Sequence, residues 1–193
     1  GANCTSVDAA FLHRAKDGVV ELVLVEWKYT EKYGKRPVQV DKDKTRLTRY
    51  GAALTDPEGP VRHDLLSFEH LVDEPFYQLM RQQLLAHELE KSGAEGAGRV
   101  RLLHVCPRDN LAYQQSICRD EVRAIGSTVS EVWRQLLRHM DRFISVDSGR
   151  FLDPEITSEQ YATRYGEPLI HDLGELLAYF ETDHVSTLED TYD

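Results

Sequence analysis

The sequence predicts a mixed α/β domain, a central β-sheet flanked by helices. Three observations carry that prediction. Residues 6–28 alternate as an apolar hairpin, residues 74–91 repeat apolar side chains at helical spacing, and Arg99 to Cys106 is a second apolar run. A hairpin, a long helix and a returning strand in that order describe a β-α-β connection onto one sheet.

The hairpin comes first. Ser6 to Leu12 and Val19 to Lys28 are the two arms, joined at Lys16-Asp17-Gly18. A three-residue loop ending in glycine suits a type I turn closed by a left-handed residue. With that loop, Ala15 faces Val19, and counting back along the ladder puts Asp8 opposite Glu26, to within about one residue of register. Directly opposed strand residues have Cβ atoms roughly 4.5–5.5 Å apart. Glu26 and Lys28 share a face because side chains alternate along a strand. Two carboxylates and an ammonium are therefore expected on one patch.

From Tyr29 to Asp43 the chain reads as a lysine-rich connection, broken by Gly34 and Pro37. Lys44 to Leu54 has helical character and ends in Asp56-Pro57-Glu58-Gly59-Pro60. Leu65 to Leu71 is a short apolar stretch. The long helix, Glu74 to Lys91, carries Phe76, Leu79, Met80 and Leu84 at core spacing and stops in a glycine-rich loop. Gln82 and Gln83 lie on it, and the helix by itself reads them as solvent-facing. Arg99 to Cys106 is a buried strand ended by Pro107. Its His104 and Cys106 share a face and read as packing residues.

Ser127, with Ser130 or Glu131, opens a further helix whose stripe runs Val129, Val132, Trp133, Leu136, Leu137, Met140 and Phe143. Phe143 to Leu152 reads as an edge strand with a turn at Ser148-Gly149. Glu159 to Tyr165 and Leu173 to Phe180 are shorter helical pieces. Thr182 to Asp193 is acidic and aperiodic, so one domain over 1–181 with a fraying tail over 182–193 is expected.

The 193 residues are 41% hydrophobic and 29% charged, the composition of an ordinary globular domain. No run approaches the roughly 20 apolar residues that span a bilayer. Three cysteines without Cys-x-x-Cys spacing argue against a disulfide framework or a zinc knuckle and favour a reducing, cytoplasmic setting. No phosphate-binding glycine loop, Gly-x-Ser-x-Gly elbow or His-x-x-x-His pair is present. The chain opens Gly1-Ala2-Asn3-Cys4 without a methionine, which reads as a trimmed start.

A net charge of −10 opposes nucleic-acid binding until it is located. From Asp153 onward there are eleven acidic residues and one basic, Arg164, which leaves 22 of each sign before that point. Lys28 to Arg49 holds eight basic residues against three acidic. That local excess can follow a phosphate backbone or simply face water.

The hairpin patch has a chemical reading. Two facing carboxylates are costly unless a proton or cation lies between them. A hard divalent ion such as Mg²⁺ takes oxygen ligands and keeps positions for water and substrate phosphate, and an adjacent lysine can orient or activate a water. Asp8 followed by Glu26-Trp27-Lys28 on the next strand resembles the PD-(D/E)XK nuclease superfamily. The wider phrase, Thr5-Ser6-Val7-Asp8-Ala9 with Glu26-Trp27-Lys28-Tyr29-Thr30-Glu31, is similar to its PGN_0703-like branch. Val7 stands where many members have proline, and an upstream helical glutamate used by many members falls outside the sequence. Gln83-Leu84-Leu85-Ala86-His87 partly matches a glutamine motif found on a helix beside the site in some members.

The resemblance implies a restriction endonuclease-like fold and a metal-dependent nuclease acting on nucleic acid, with DNA as the expected partner. It implies Mg²⁺ or Mn²⁺ held by Asp8, Glu26 and the Trp27 carbonyl. Lys28 would act on the water, and Gln82 or Gln83 would stand beside the site. Two other readings stay open: a nuclease-like fold that binds or scaffolds without cutting, and surface charges on an unrelated α/β domain.

Overall fold

A computed structural model describes residues 4–34, 39–117, 119–153 and 155–166. The chain divides into two compact units, 1–147 and 148–193.

In the first unit, β1 (Ala9–Arg14) pairs antiparallel with β2 (Val20–Trp27), and β3 (Arg99–Cys106) and β4 (Phe143–Asp147) follow in parallel, giving the order β1-β2-β3-β4. The domain is a mixed sheet with helices, the α/β arrangement that the sequence predicts. Hairpin pairing runs from Arg14↔Val20 to Ala9↔Val25, and Ala15 N–H donates to Val19 O at 2.9 Å. This is the register the turn length dictates. Gly18 closes the turn at φ +86°, a conformation side chains with a Cβ rarely adopt.

The two arms differ in burial. Every residue of β1 is exposed, because it is the outer strand, whereas β2 lies between neighbours and is buried almost throughout. Unlike the two equally apolar arms the sequence suggests, β1 is an edge strand carrying His13 and Arg14.

Between β2 and β3 lie α1 (Val40–Thr55), α2 (Phe68–Leu71) and α3 (Phe76–Ser92). Helix α1 starts four residues earlier than its apolar pattern suggests, with Asp41 and Asp43 in its first turn, where acidic groups favour a helix N-terminus. Helix α3 ends at Gly93, which takes the left-handed conformation (φ 63°) that closes a helix.

After β3 come α4 (Leu111–Gln114), α5 (Asp120–Arg123) and α6 (Val129–Gln135). Thr128, rather than Ser127, caps α6: its side chain accepts from Glu131 N–H, while the Glu131 carboxylate accepts from Ser127 N–H and Oγ–H. The helix stops at Gln135, although the apolar stripe continues. Beyond it, Leu136 O accepts from Arg62 N–H, Arg138 N–H donates to Pro60 O, and Leu137 bridges to Val61. Those tertiary bonds replace further helical turns. Leu136, Leu137 and Phe143 still enter the core.

That core joins Leu22 and Leu24 of β2 and Val100 and Leu102 of β3 to Phe76, Leu79 and Met80 of α3 and Trp133 of α6. Phe76 stacks on Trp133 with ring centroids 6.3 Å apart. Burying each large side chain stabilises by about 1.5–3 kcal/mol. The consequence for the site is that α3 is clamped across the face of β2 that carries Leu22, Leu24 and Glu26.

The second unit is described through residue 166. Arg150 pairs with Asp153 at 2.9 Å, and α7 (Glu159–Gly166) starts where Ser158 Oγ accepts from Tyr161 N–H. The helical piece expected over 173–180 and the acidic tail lie outside the described residues. No helix among the described residues is long and apolar enough to cross a membrane.

Candidate active site

Strand β2 delivers Glu26 to its C-terminal end, on the face packed by α3, with the residue only 2% exposed. A buried carboxylate needs hydrogen-bond donors or a counter-charge. Lys28, two residues on and 5% exposed, supplies the charge: its Nζ lies 2.6 Å from Glu26 Oε1. Lys28 N–H donates to Val105 O at 2.8 Å, so sheet pairing holds the lysine on the Glu26 face.

Helix α3 supplies the remaining donors. Gln78 Nε2 donates to Glu26 Oε1 at 2.5 Å, and Gln82 Nε2 donates to Glu26 Oε2 at 2.5 Å. Residues four apart lie on one helix face, which lets both amides reach one carboxylate. Gln78 Oε1 also accepts from Lys28 Nζ at 2.7 Å, closing a ring of Glu26, Lys28 and Gln78. Gln82 Nε2 further bonds Ser6 O at 3.1 Å, tying the start of the hairpin to the same helix. Gln82 Oε1 is buried without a hydrogen-bond partner.

Asp8 lies just before β1 and is exposed. Its backbone N–H donates to Val25 O at 2.9 Å, and its carboxylate Oδ2 accepts from Trp27 N–H at 2.7 Å. Asp8 thus bonds the peptide that joins Glu26 to Trp27. Trp27 is partly exposed at the strand end. The hairpin therefore brings Asp8, Glu26, Trp27 and Lys28 together, and α3 adds Gln82. Neither glutamine faces solvent as the helix by itself suggests: Gln82 is buried against Glu26, and Gln83, one residue further round the helix, is buried beside Pro60, His87 and Arg142.

Sequence reasoning missed three participants. Gln78 is one; its signal was the Gln-x-x-x-Gln spacing with Gln82. Glu74, one turn earlier, is another: burial raises its carboxyl above the usual range, against the Gln78 N–H bond and the charges of Lys28, Arg46 and Arg81. The third is Tyr33, whose phenol burial also raises against the pull of the Lys28 ammonium beside it. For Lys28 itself, burial works to lower the ammonium, but its hydrogen bond and attraction to Glu26 outweigh this and hold it above its ordinary value.

Behind the site, His104 of β3 is level with Glu26 across the parallel pair. Burial, aided by the Lys28 charge, pushes its imidazole down to about 4. The neutral ring hydrogen-bonds the Tyr113 hydroxyl at 2.9 Å and stacks on that ring. It is a packing residue, as is Cys106.

The donor set suits a hard cation. Asp8 and Glu26 offer carboxylate oxygens beside a strand-end backbone, and Gln82 Oε1 adds an unpartnered acceptor. Mg²⁺ is typically held through one or two carboxylates, with water and phosphate completing its shell. No group of three or more His, Cys, Asp or Glu side chains that could hold a metal ion occurs among the described residues.

At the opposite end of β2 a second buried glutamate, Glu21, has a different environment. It is paired with Arg99, with Arg101 at 3.4 Å and with His13 at 3.0 Å, and Arg99 also pairs with Asp17 at 2.6 Å. Two arginines saturate it, so it is a structural ion cluster.

No curated protein and no solved structure matches the chain. A family model described as restriction endonuclease associating with ARP (REase-ARP) matches residues 1–166. That agrees with the mixed sheet flanked by helices, and the chain belongs to this restriction endonuclease family.

Proposed function

We propose that this chain is a metal-dependent nuclease that hydrolyses phosphodiester bonds, with DNA as substrate. One observation carries the reading: Glu26 and Lys28 are paired at a buried strand end, gripped by Gln78 and Gln82, with Asp8 bonded to the adjoining peptide. Asp8, Glu26 and the Trp27 carbonyl would hold Mg²⁺ or Mn²⁺. When bound, such an ion supplies positive charge to a phosphate oxygen and acidity to a water.

The chain's own residues do the rest. The Lys28 ammonium, fixed by Glu26 and Gln78, presents positive charge where negative charge grows on the phosphate. Gln78 and Gln82 fix the Glu26 carboxylate so that no reorganisation is needed at the moment of reaction. Asp8, the exposed member, faces solvent and the incoming substrate.

The test is incubation of a DNA duplex with the protein in Mg²⁺, Mn²⁺ or EDTA, beside Asp8→Asn and Lys28→Ala. Cleavage that needs metal and falls at least about 100-fold in both variants is expected. Equal cleavage by all three proteins, or none with either metal, overturns the reading. The alternative of a nuclease-like fold that binds without cutting draws on the three donors already held by Glu26. Duplex binding without turnover in either metal would select it.

A further inference from the structure

We propose that the exposed face of α1 is a binding site for the phosphate backbone of a DNA duplex, leading to the Glu26–Lys28 site. The inference rests on the nuclease reading for its choice of ligand, and on α1 for everything else.

Helix α1 is sixteen residues long, yet Leu54 is its only buried residue. A helix normally holds its place by an apolar stripe. This one is fastened through Arg46, whose guanidinium lies 4.0 Å over the Tyr77 ring and donates to Val72 O at 2.8 Å, and through its last turns. The outward surface carries Lys42, Lys44, Thr45, Thr48 and Arg49, all exposed. Among the described residues neither Lys42 nor Lys44 forms an ion pair, whereas Arg99, Arg119, Arg123 and Arg142 are all paired with carboxylates.

The surface is also concave. A groove of about 270 Å³ runs between Asp41, Lys42, Thr45, Arg46 and Arg49 of α1 and Tyr77 of α3. Cations alternating with hydroxyls fit phosphate oxygens, which accept from both. Lys42 and Arg49 lie on one helix face about 10 Å apart at 1.5 Å rise per residue, with Arg46 between them held by Tyr77, Val72 O and Asp43. Tyr77, which lines the groove, immediately precedes Gln78, the residue that holds Glu26 and Lys28, so the proposed path runs from α1 across α3 towards the site. The Gly1–Leu152 portion of the chain is charge-balanced, with 22 acidic and 22 basic residues, so the cationic face is not opposed by a net local excess of acid in that portion.

The test is fluorescence anisotropy of a labelled 20-base-pair duplex with the full chain in EDTA, across a salt series. Each phosphate contact contributes about 0.9 to the slope of log affinity against log salt for B-DNA. The triple variant Lys42→Ala/Lys44→Ala/Arg49→Ala should reduce the slope by about 2 to 3 and weaken binding at least about tenfold at low salt. Alanine favours helix, so α1 should persist, and circular dichroism checks this. Arg62→Ala/Arg123→Ala, which removes two exposed cations outside α1, should leave the slope unchanged. An unaltered slope in the triple variant, no duplex binding by the wild type, or a slope loss seen only with single-stranded DNA overturns the proposal. Binding that behaves as expected while no metal supports cleavage would leave it standing and sink the nuclease reading instead.

Discussion

The side-chain amide of Gln82 donates to the carboxylate of Glu26 at 2.5 Å, although the two residues are 56 positions apart. The bond joins the second turn of α3 to the end of β2, and Gln78 repeats it one helical turn earlier. Groups that orient an active carboxylate in this way typically matter 10–100-fold to metal affinity or activity.

Gln78→Ala and Gln82→Ala should therefore each lower metal-dependent cleavage by about 10- to 100-fold. Gln82→Ala leaves Glu26 Oε2 buried without that donor and should cost about 1–3 kcal/mol in urea unfolding. Activity equal to wild type in both variants would remove the amides from the site.

Asp8 and Lys28 should separate stability from chemistry. Asp8 is exposed, so Asp8→Ala should alter stability by less than about 1 kcal/mol, the range of surface positions. Its Mg²⁺ binding by calorimetry should nevertheless disappear. Lys28→Ala strips the counter-charge from a buried carboxylate and should destabilise by about 3 kcal/mol, in the range for a broken buried pair. Retained Mg²⁺ binding in Asp8→Ala would exclude Asp8 as a ligand.

Glu21 provides the contrasting case. Glu21→Ala abandons Arg99 and Arg101 at the far end of β2 and should cost about 3–5 kcal/mol, read by denaturant unfolding. Cleavage per folded molecule should stay near wild type. A specific loss of activity would mean that the arginine cluster contributes to the chemistry.

Stability should fall with acid in two stages. His104 has its imidazole pushed down to about 4 by burial, so the unfolded chain binds a proton that the fold excludes once pH drops below about 6.5. That contribution is present above 6.5 and is lost as pH falls towards 4. Glu90 follows at lower pH. Burial works to raise its carboxyl, but Arg142 and the Val100 N–H outweigh it and hold it below the usual range. Its contribution is present above the unfolded value and is lost as pH falls through the folded one. His104→Gln should flatten the decline between pH 6.5 and 4 in a denaturant series, and Glu90→Gln the decline below it.

The hairpin was determined locally. A three-residue loop closed by Gly18 sets its pairing, and two-residue alternation predicts Glu26 and Lys28 on one face, where the bond from Lys28 N–H to Val105 O then holds the lysine. The long helix and the strand after it were equally legible, because their apolar periods are strong and Gly93 and Pro107 end them. What the sequence could not reveal depends on distant partners. The exposure of β1 follows from its place at the sheet edge. The early end of α6 follows from bonds to Pro60 and Arg62, and the burial of Glu21 from two arginines about eighty residues away. The choice of Gln78 and Gln82, with Gln83 turned elsewhere, was made by the angle at which Phe76, Leu79 and Met80 seat α3 on β2. Periodicity encodes backbone conformation and the face a side chain occupies. Only packing decides which remote donor reaches a buried carboxylate, and that is where this site was completed.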